Sequence, residues 1–460
     1  MSPSLNLSPI GRRGWWWPWL ACCLVALPAL AQEPATEPAA AGAATEQPAA
    51  AAPVGIIKSI EFSGNRVTRR QILEQEMLVK VGDPADPALI ERSRQAIMDL
   101  GLFVAVYAQT EPADGGVTLH ITVKEKYYIL PVPKLNRDER NRFTLGAELS
   151  LDNLAGYNQQ LKYRYENEQA TGLSGGKVTT DLISYSYPRM FGSAYNLQAG
   201  VTEQKSPAEL VSGSTLTSLY RLKAWSGNLQ VSRWLARTGP SRGWQVGGGA
   251  VVRTNNYEYL SGATTGTFMD ARAVGITLLG TFTDVHDYLF SRSGVEYGYN
   301  GEYGDPSLGS ESHYTRHEFY YRKYWLLPNV PHENVDFQAK LGLSSGNMFP
   351  TDTFAYGLGG NSSLRGYDSN SYTGNAYALL NVQYLRPLFG YYPLRGAVFL
   401  DVGNTYPNYR EFHLGDLHWD AGLGLRLRLK SFVKIDLRVD VSYAYDTGEV
   451  KVFAGSKEMF

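Results

Sequence analysis

A glycine-rich segment that ends in an arginine is the part of the sequence best suited to specific polar chemistry. In order, it contains Gly359, Gly360, Asn361, Ser362, Ser363, Leu364, Arg365, Gly366 and Tyr367. Two later segments repeat aspartate and glycine at alternate positions, and they contain Phe399, Asp401, Gly403, Asp420, Gly422 and Gly424. Because arginine and carboxylate form strong charge-assisted hydrogen bonds, we expect Arg365 to pair with one of these aspartates.

Alternation in the later segments indicates which way the aspartates point. The alternate apolar residues are Val398, Leu400 and Val402 in the first segment and Leu423, Leu425 and Leu427 in the second. Successive side chains of a strand point to opposite faces, so Asp401 and Asp420 lie on the polar face together with the glycines. Glycines on that face leave room for the backbone of a loop to approach the sheet.

The histidines give no sign of an enzyme. Of the 7 histidines, only His286, between Asp284 and Asp287, is clustered with acids, and it falls in a predicted turn. Neither a nucleophile elbow nor a closed metal-ligand spacing accompanies it. We therefore expect no catalytic activity and no cofactor.

The charge balance of the whole chain argues against a nucleic-acid partner, because Lys and Arg total 43 and Asp and Glu total 44.

Residues 129–460 have the pattern of a membrane-spanning sheet. From 433 to 443, apolar residues alternate strictly with polar ones. In a transmembrane barrel the apolar face contacts lipid and the charges face inward. We expect a mainly β fold with a 16-stranded barrel, whose strands each need only about 9–11 residues to cross the membrane.

Connections between the predicted strands alternate in length. Short ones include 152–156, 189–192 and 430–432, and longer polar ones include 346–374 and 404–417. This asymmetry is typical of outer-membrane barrels.

The N-terminus has the features of a secretory signal at residues 1–31. Arg12 and Arg13 precede an apolar run from Trp15 to Leu30, and residues 29–31 form an Ala-x-Ala cleavage pattern. A retained transmembrane helix or a lipidated Cys22 are the alternatives. Residues 32–53, rich in Ala and Pro, predict a disordered linker.

Residues 54–128 predict a small α+β domain. A strand at 56–62 is followed by a helix capped by Thr68 and reaching about Met77, and by a second helix that begins at Pro87. Strands at 104–109 and 117–123 flank an Asp-Gly-Gly turn.

This order resembles a POTRA domain, with matching residues at 62–65, 82–83 and 101–103. An unrelated small α+β domain is the alternative. The resemblance implies that the middle strand is an edge that pairs with clients; its residues include Val104, Val106 and Tyr107.

The loop tip and strand motifs resemble the BamA/TamA outer-membrane assembly-factor superfamily. Arg365, Gly366 and Tyr367 match a loop tip that docks inside the barrel, with Leu364 where valine is usual. Phe399, Asp401 and Gly403 match the docking strand. The segment 284–294 resembles a conserved turn of the family, with His286 in place of Arg and Ser291 in place of Pro, and the terminal Phe460 resembles a delivery signal.

The resemblance implies a bacterial outer-membrane location with the POTRA-like domain in the periplasm. It implies protein insertion or translocation as the function. The expected partners are outer-membrane lipids, unfolded outer-membrane or secreted proteins, and a periplasmic or inner-membrane protein that contacts the POTRA-like domain.

The first and last barrel strands predict a weak seam. Proline lacks the N–H that a β-ladder needs, and the first strand contains Pro131 and Pro133. The last strand begins near Val450, contains Val452 and ends at Phe460. We expect the two strands to pair poorly and to open sideways. The alternative is that the prolines belong to a rigid linker and the barrel closes elsewhere.

Other functions remain open at this point. A two-partner-secretion-type exporter usually has two POTRA units and a plug helix, whereas this sequence predicts one unit. A passive porin needs neither a POTRA unit nor a loop plug. An Arg365–aspartate pair could equally hold the loop in place without taking part in transport.

Overall fold

The N-terminal domain is built on a three-stranded sheet covered by two helices. The computed structural model describes residues 55–137, 143–170, 173–239, 242–263, 268–350, 352–432 and 436–455. The predicted signal and linker, and Phe460, lie outside these residues. The domain consists of β1 (Ile57–Ser63), α1 (Arg70–Glu74), α2 (Pro87–Met98), β2 (Phe103–Ala113) and β3 (Gly116–Glu125). The strand order is β1-β3-β2, with β1 parallel and β2 antiparallel to β3.

Helix α2 has the start that its sequence predicts. The Asp86 side chain accepts a hydrogen bond from the Ala88 N–H, and Pro87 occupies the first turn, where its missing N–H has no cost. Ile90 and Ile97 are buried against the sheet, in a core that includes Leu73, Phe103 and Leu119. The domain therefore has a hydrophobic core of its own.

The first helix differs from its prediction. It spans only Arg70–Glu74, and Thr68 does not cap it. Instead the Glu125 carboxylate accepts hydrogen bonds from the N–H and hydroxyl groups of Thr68, at 2.7 and 2.6 Å, and from the N–H of Val67. Because a carboxylate on β3 satisfies these donors, the segment before α1 stays extended.

The second domain is a closed barrel of antiparallel strands, as predicted. Its strands are β4 (Ile129–Arg137), β5 (Phe143–Leu154), β6 (Gln159–Gln169), β7 (Lys177–Tyr187), β8 (Tyr195–Ser212), β9 (Thr215–Gly239), β10 (Arg242–Gly262), β11 (Ala271–Asp287), β12 (Arg292–Gly304), β13 (Tyr314–Leu326), β14 (Asn334–Ser345), β17 (Ala376–Leu388), β18 (Tyr391–Tyr406), β19 (His418–Arg428), β20 (Asp436–Ala444) and β21 (Val450–Gly455). A separate hairpin of β15 (Tyr356–Leu358) and β16 (Tyr372–Gly374) belongs to the loop between β14 and β17.

The barrel wall has its apolar face outside and its charges inside. On β19 and β20, Leu423 and Val441 are 65% and 44% exposed, whereas Asp440 is 1% exposed. On β18, Val398 is likewise exposed, whereas Asp401, three residues further along the same strand, is fully buried. This polarity is the reverse of that of a water-soluble sandwich. In the described part of the chain, no helix is long and apolar enough to span a membrane.

The two ends of the barrel differ. At the end next to the N-terminal domain, connections are short, as between β5 and β6 or between β17 and β18. At the far end, the loop 346–375 between β14 and β17 is the longest in the described barrel, and it folds back into the lumen. We call residues 346–375 the plug loop. Strands β8, β9 and β10, of 18, 25 and 21 residues, also project beyond the far end.

Candidate functional site

The tip of the plug loop is held by a buried ion pair between Arg365 and Asp401. Arg365 Nε donates to Asp401 Oδ2 at 2.6 Å and Nη2 donates to Oδ1 at 2.7 Å. The side chains are 1% and 0% exposed. This two-point geometry gives both strength and a fixed orientation. The structure therefore pairs the loop arginine with Asp401 rather than with Asp420.

Neighbouring groups complete the Arg365 pocket. The guanidinium lies 3.5 Å from the centre of the Phe399 ring, which provides a cation–π contact. Asn381 on β17 donates to Asp401 Oδ1 and to the Ser363 carbonyl, both at 2.8 Å. Asn381 thus connects the barrel wall, the carboxylate and the loop backbone, a role that the sequence analysis did not assign.

The rest of the tip packs closely against the barrel wall. A Cβ on Gly366 would lie 2.6 Å from Asp420 Cβ, so only glycine fits there without movement. The Tyr367 hydroxyl lies 3.0 Å from the Trp419 carbonyl and from Asp446 Oδ2. Leu364 is fully buried in an apolar cluster with Leu358. Asp420, in turn, contacts the tip through Gly366 and accepts a hydrogen bond from Ser442.

Two glycines shape the turn before the tip. Gly359 and Gly360 have φ values of 115° and 82°, which side chains rarely adopt. The Gly360 N–H donates to the Tyr367 carbonyl at 2.8 Å, which closes the turn.

Gly422 and Gly424 do not leave room for the loop backbone, contrary to the expectation from the sequence. A Cβ on Gly422 would collide with the Phe399 ring, and a Cβ on Gly424 would collide with Asp440. These two glycines therefore make room for side chains of adjacent strands rather than for the loop backbone. Gly403 differs, because its Cβ would meet Leu358 of the plug loop at 3.3 Å.

A second charged cluster lies beside the Arg365 pair. Arg426 donates to Asp440 Oδ1 at 2.5 Å, and Arg438 donates to the Asn361 carbonyl of the plug loop. Arg365 Nη1 lies 3.9 Å from Asp440 Oδ2. Alternation places these residues on the inner face, but their contact with the loop depends on how the loop folds.

The seam, which we define as the junction between β4 and β21, joins the first and last strands of the barrel. Among the described residues, which end at 455, β21 pairs with β4 through Ala454 and Arg137. On its other side, β21 pairs with β20 from Arg438 to Tyr443. Val450 is exposed and Val452 is half-buried on the outer face of β21.

The two prolines of β4 lie within an intact ladder with β5. Pro131 and Pro133 are paired with Leu149 and Ala147. Hydrogen-bonded and non-hydrogen-bonded positions alternate along an antiparallel ladder, and a proline fits only where its nitrogen faces away from the partner. The missing N–H groups therefore point away from β5, toward the seam side of β4.

The chain that enters the barrel contacts the turn that follows β19. The Tyr127 N–H donates to the Ser431 carbonyl at 2.9 Å, in the turn between β19 and β20. The Tyr127 and Phe432 rings lie 5.6 Å apart.

The N-terminal domain is fastened to the barrel by buried acids. Glu76, 2% exposed, accepts hydrogen bonds from Arg189 Nη1 at 2.8 Å and from Arg237 Nη2 at 2.8 Å. Asp99 Oδ2 lies 2.9 Å from His286 Nδ1. Burial raises the pKa of Asp99, and the contact with His286 opposes this shift. His286, which replaces an arginine in the turn motif, thus provides a contact between domains.

The predicted client-pairing strand lies at a sheet edge. In the order β1-β3-β2, one side of β2 has no partner strand in the sheet. Val106 is buried in the core and Val104 is half-buried, whereas Tyr107 is exposed.

Comparison with known proteins agrees with this architecture. Residues 55–126 match the POTRA family, described as a surface antigen variable number repeat, and residues 133–446 match the Omp85 superfamily domain. The chain belongs to the Omp85 superfamily. As an Omp85 protein it resides in the outer membrane, with its POTRA domain in the periplasm. The short turns next to the POTRA domain are therefore periplasmic, and the long loops are external.

Individual relatives are similar over parts of the chain or in fold. The outer membrane protein assembly factor BamA of Neorickettsia risticii is 35% identical over 71 residues, which are 15% of this chain and 10% of that protein. BamA from Haemophilus ducreyi lacking POTRA domains 1–3 has a TM-score of 0.52 at 15% identity, covering 87% of this chain and 84% of that one. CdiB from Escherichia coli has a TM-score of 0.63 at 14% identity, covering 87% and 76%. At identities this low, the TM-scores show a shared fold and nothing more specific.

Proposed function

We propose that this Omp85 protein inserts or translocates unfolded proteins at the outer membrane through the seam between β4 and β21. The observation that carries the proposal is that Pro131 and Pro133 remove two N–H donors from the seam side of β4, a strand that otherwise pairs along its length with β5. An edge with unused backbone groups is a template on which another strand can pair. A client strand would add to β4 or β21 when the seam opens.

The plug loop supports the same proposal. With Arg365 fixed on Asp401, the tip lies inside the lumen and obstructs a passive aqueous path. A porin gains nothing from such a buried contact. We propose that the Arg365 pair holds the plug and that the protein acts without enzymatic chemistry.

The POTRA domain is the part that would meet clients and other periplasmic proteins. Its strand β2 offers a free edge, along which Tyr107 is exposed and Val104 half-buried on either side of the core residue Val106. An extended client segment can pair with such an edge before it reaches the barrel. Outer-membrane lipids surround the seam and receive the inserted product.

A disulfide across the seam tests the proposal. Arg137→Cys with Ala454→Cys places cysteines on the paired residues, in a chain whose natural cysteines are Cys22 and Cys23. In vesicles containing the purified protein, oxidation should stop insertion of a barrel client, measured by its heat-modifiable gel mobility, and reduction should restore it. Val441→Cys with Val452→Cys, which locks β20 to β21, is the matched control and should insert normally.

The same experiment separates insertion from export. If the locked seam still delivers a secreted client across the membrane but fails to insert a barrel client, the two activities use different paths. Unchanged insertion with the seam fully locked would contradict the proposal.

A further inference from the structure

Charged side chains on the outer wall of the barrel are concentrated on neighbouring strands. We use the name charged belt for Glu203, Lys205, Arg221, Lys223 and Glu258 on β8, β9 and β10. Lys177 on β7 and Arg272 on β11 extend the belt on its two sides. The belt lies on the long strands, away from the seam.

The belt faces outward, toward the membrane and its surface. Lys223 and Arg221 share the face of β9 on which Trp225 and Leu229 lie, because all are at alternate positions and the ladder with β8 has no register shift from Arg221 to Leu229. Trp225 and Leu229 are 41% and 53% exposed, as expected for side chains that contact lipid. The cations therefore point away from the lumen.

The height of the belt matches the headgroup layer of the external leaflet. A transmembrane strand needs about 9–11 residues to cross the hydrocarbon, and on β9 the run from Arg233, which lies over the Tyr195 ring at the periplasmic end, to Trp225 has this length. Trp225 then marks the external aromatic girdle. Lys223 and Arg221 follow immediately beyond it.

The cations are placed as if for an anionic partner. Lys205 and Lys223 are directly opposite each other across β8 and β9, an arrangement that repulsion disfavours. Glu258 lies 3.0 Å from Lys223 and 3.3 Å from Arg221, and Glu203 lies 3.0 Å from Lys205. Two carboxylates thus face three cations, and the side chains keep 43–47% of their surface exposed.

Four acids lie around the belt. Asp181 on β7 is opposite Glu203 and accepts a hydrogen bond from Tyr163, and Glu209 is turned toward the N–H groups of Leu173 and Ser174. Asp270 and Glu311 accept hydrogen bonds from the N–H groups of Tyr257 and Arg272. The positive excess is therefore confined to the belt itself, where Lys205, Lys223 and Arg221 face two carboxylates.

The opposite side of the barrel lacks such a feature. In the described parts of β12–β21, the outward-facing register rows of the external half carry no Lys, Arg, Asp or Glu. The outward cations Lys323 and Arg386 lie near the periplasmic ends of β13 and β17. The distribution is therefore specific to one side and one leaflet.

We propose that the charged belt is a binding site for the phosphate groups of membrane lipids in the external leaflet. Lys205 and Lys223 would share one phosphate, which removes their mutual repulsion, and Arg221 would contact its oxygens in a bidentate manner. The site fixes this side of the barrel in the headgroup layer of the external leaflet. The inference rests on the outer-membrane location and is independent of how clients are handled.

Titration of the full chain with a phosphorylated lipid tests the site. The protein in dodecyl maltoside micelles is titrated with diphosphoryl lipid A, and the midpoint of the lipid-dependent rise in unfolding temperature is measured. The double variant Lys205→Gln with Lys223→Gln should raise that midpoint roughly tenfold or more. Arg233→Gln, an outward cation at the periplasmic end of the same strand, is the matched control and should titrate like the natural protein.

A variant with the opposite effect separates binding from misfolding. Glu258→Gln releases Arg221 and Lys223 from their acid and should lower the midpoint, that is, strengthen lipid binding. An equal response to phosphatidylglycerol supports the proposal, because that lipid also presents phosphate at the membrane surface. The proposal is overturned if the double variant titrates like the natural protein, if Glu258→Gln weakens binding, or if inorganic phosphate alone gives the same rise.

Discussion

Lys451 on the last barrel strand lies 3.0 Å from Asp368 in the plug loop, measured from Nζ to Oδ1. Asp368 directly follows the tip residue Tyr367, and β21 forms one side of the seam. The lumenal plug and the strand on one side of the proposed seam are therefore in direct contact. If either the plug loop or β21 moves, the other loses the Lys451–Asp368 contact.

Removing this contact should loosen β21. With Asp368→Asn, amide hydrogen exchange of residues 450–455 should accelerate about two- to fivefold, in keeping with a partly exposed ion pair worth about 0.5–1 kcal/mol. Glu449→Gln, which removes the other acid close to Lys451, is the control and should have a smaller effect on these amides because it leaves the plug contact intact. Equal exchange in natural protein and Asp368→Asn would show that the contact does not support the strand.

Loss of the Arg365 guanidinium should release the plug. Arg365→Ala leaves Asp401 buried without its partner, and breaking a buried pair in this way costs about 3–5 kcal/mol. We expect larger single-channel conductance and faster proteolysis of the loop 346–375. Arg365→Lys should release the plug less than Arg365→Ala does, since lysine keeps the charge but loses the two-point geometry.

A double-mutant cycle separates the ion pair from general packing. Arg365→Ala with Asp401→Ala should destabilise the docked plug by less than the sum of the single changes, because each single change leaves one member of the pair buried without its partner and the double change removes both. Strict additivity would mean that the two side chains contribute independently.

Glu76 should control docking of the POTRA domain. Glu76→Gln leaves Arg189 and Arg237 without a charged partner at the interface, which should cost the docked arrangement about 1–3 kcal/mol. Distances between spin labels on α2 and on the external part of β9 should become broader. Glu91→Gln, which removes an exposed ion pair within α2, is the control and should leave the distances unchanged.

The turn between β13 and β14 should make stability depend on pH. Burial, followed by the nearby Arg395 and Arg428 charges, lowers the pKa of His332 from 6.5 to about 4. As the pH falls from 6.5 to about 4, the unfolded chain gains a proton that the folded chain does not, so stability decreases across this interval and levels off below it.

Melting temperatures in detergent between pH 7.5 and 4 measure this effect. His332→Asn should reduce the decrease, and asparagine tolerates the φ of 63° found at this position. His313→Gln, at the external end of the barrel, is the control. A pH profile of His332→Asn that matches the natural protein would assign the decrease to other groups.

Alternation along single strands was sufficient to predict the faces of the barrel. The period of two is a local property, so the sequence of β18 or β20 by itself places Asp401 and Asp440 inside and Val398 and Val441 outside. The number of strands and the position of the POTRA-like domain also follow from local patterns and spacing. Turn residues at Gly359 and Gly360 are similarly local, since only glycine readily adopts their φ values.

Contacts between strands and domains required the tertiary structure. Register between distant strands decided that Gly422 accommodates Phe399 and that Arg365 pairs with Asp401 rather than Asp420. The start of α1 at Arg70, after the predicted cap Thr68, likewise depends on Glu125, far along the chain. Such contacts form only when segments remote in sequence come together, and no periodicity encodes which partner a charged side chain meets. The sequence alone thus determined which residues face the lumen, and the fold decided which of them bind one another.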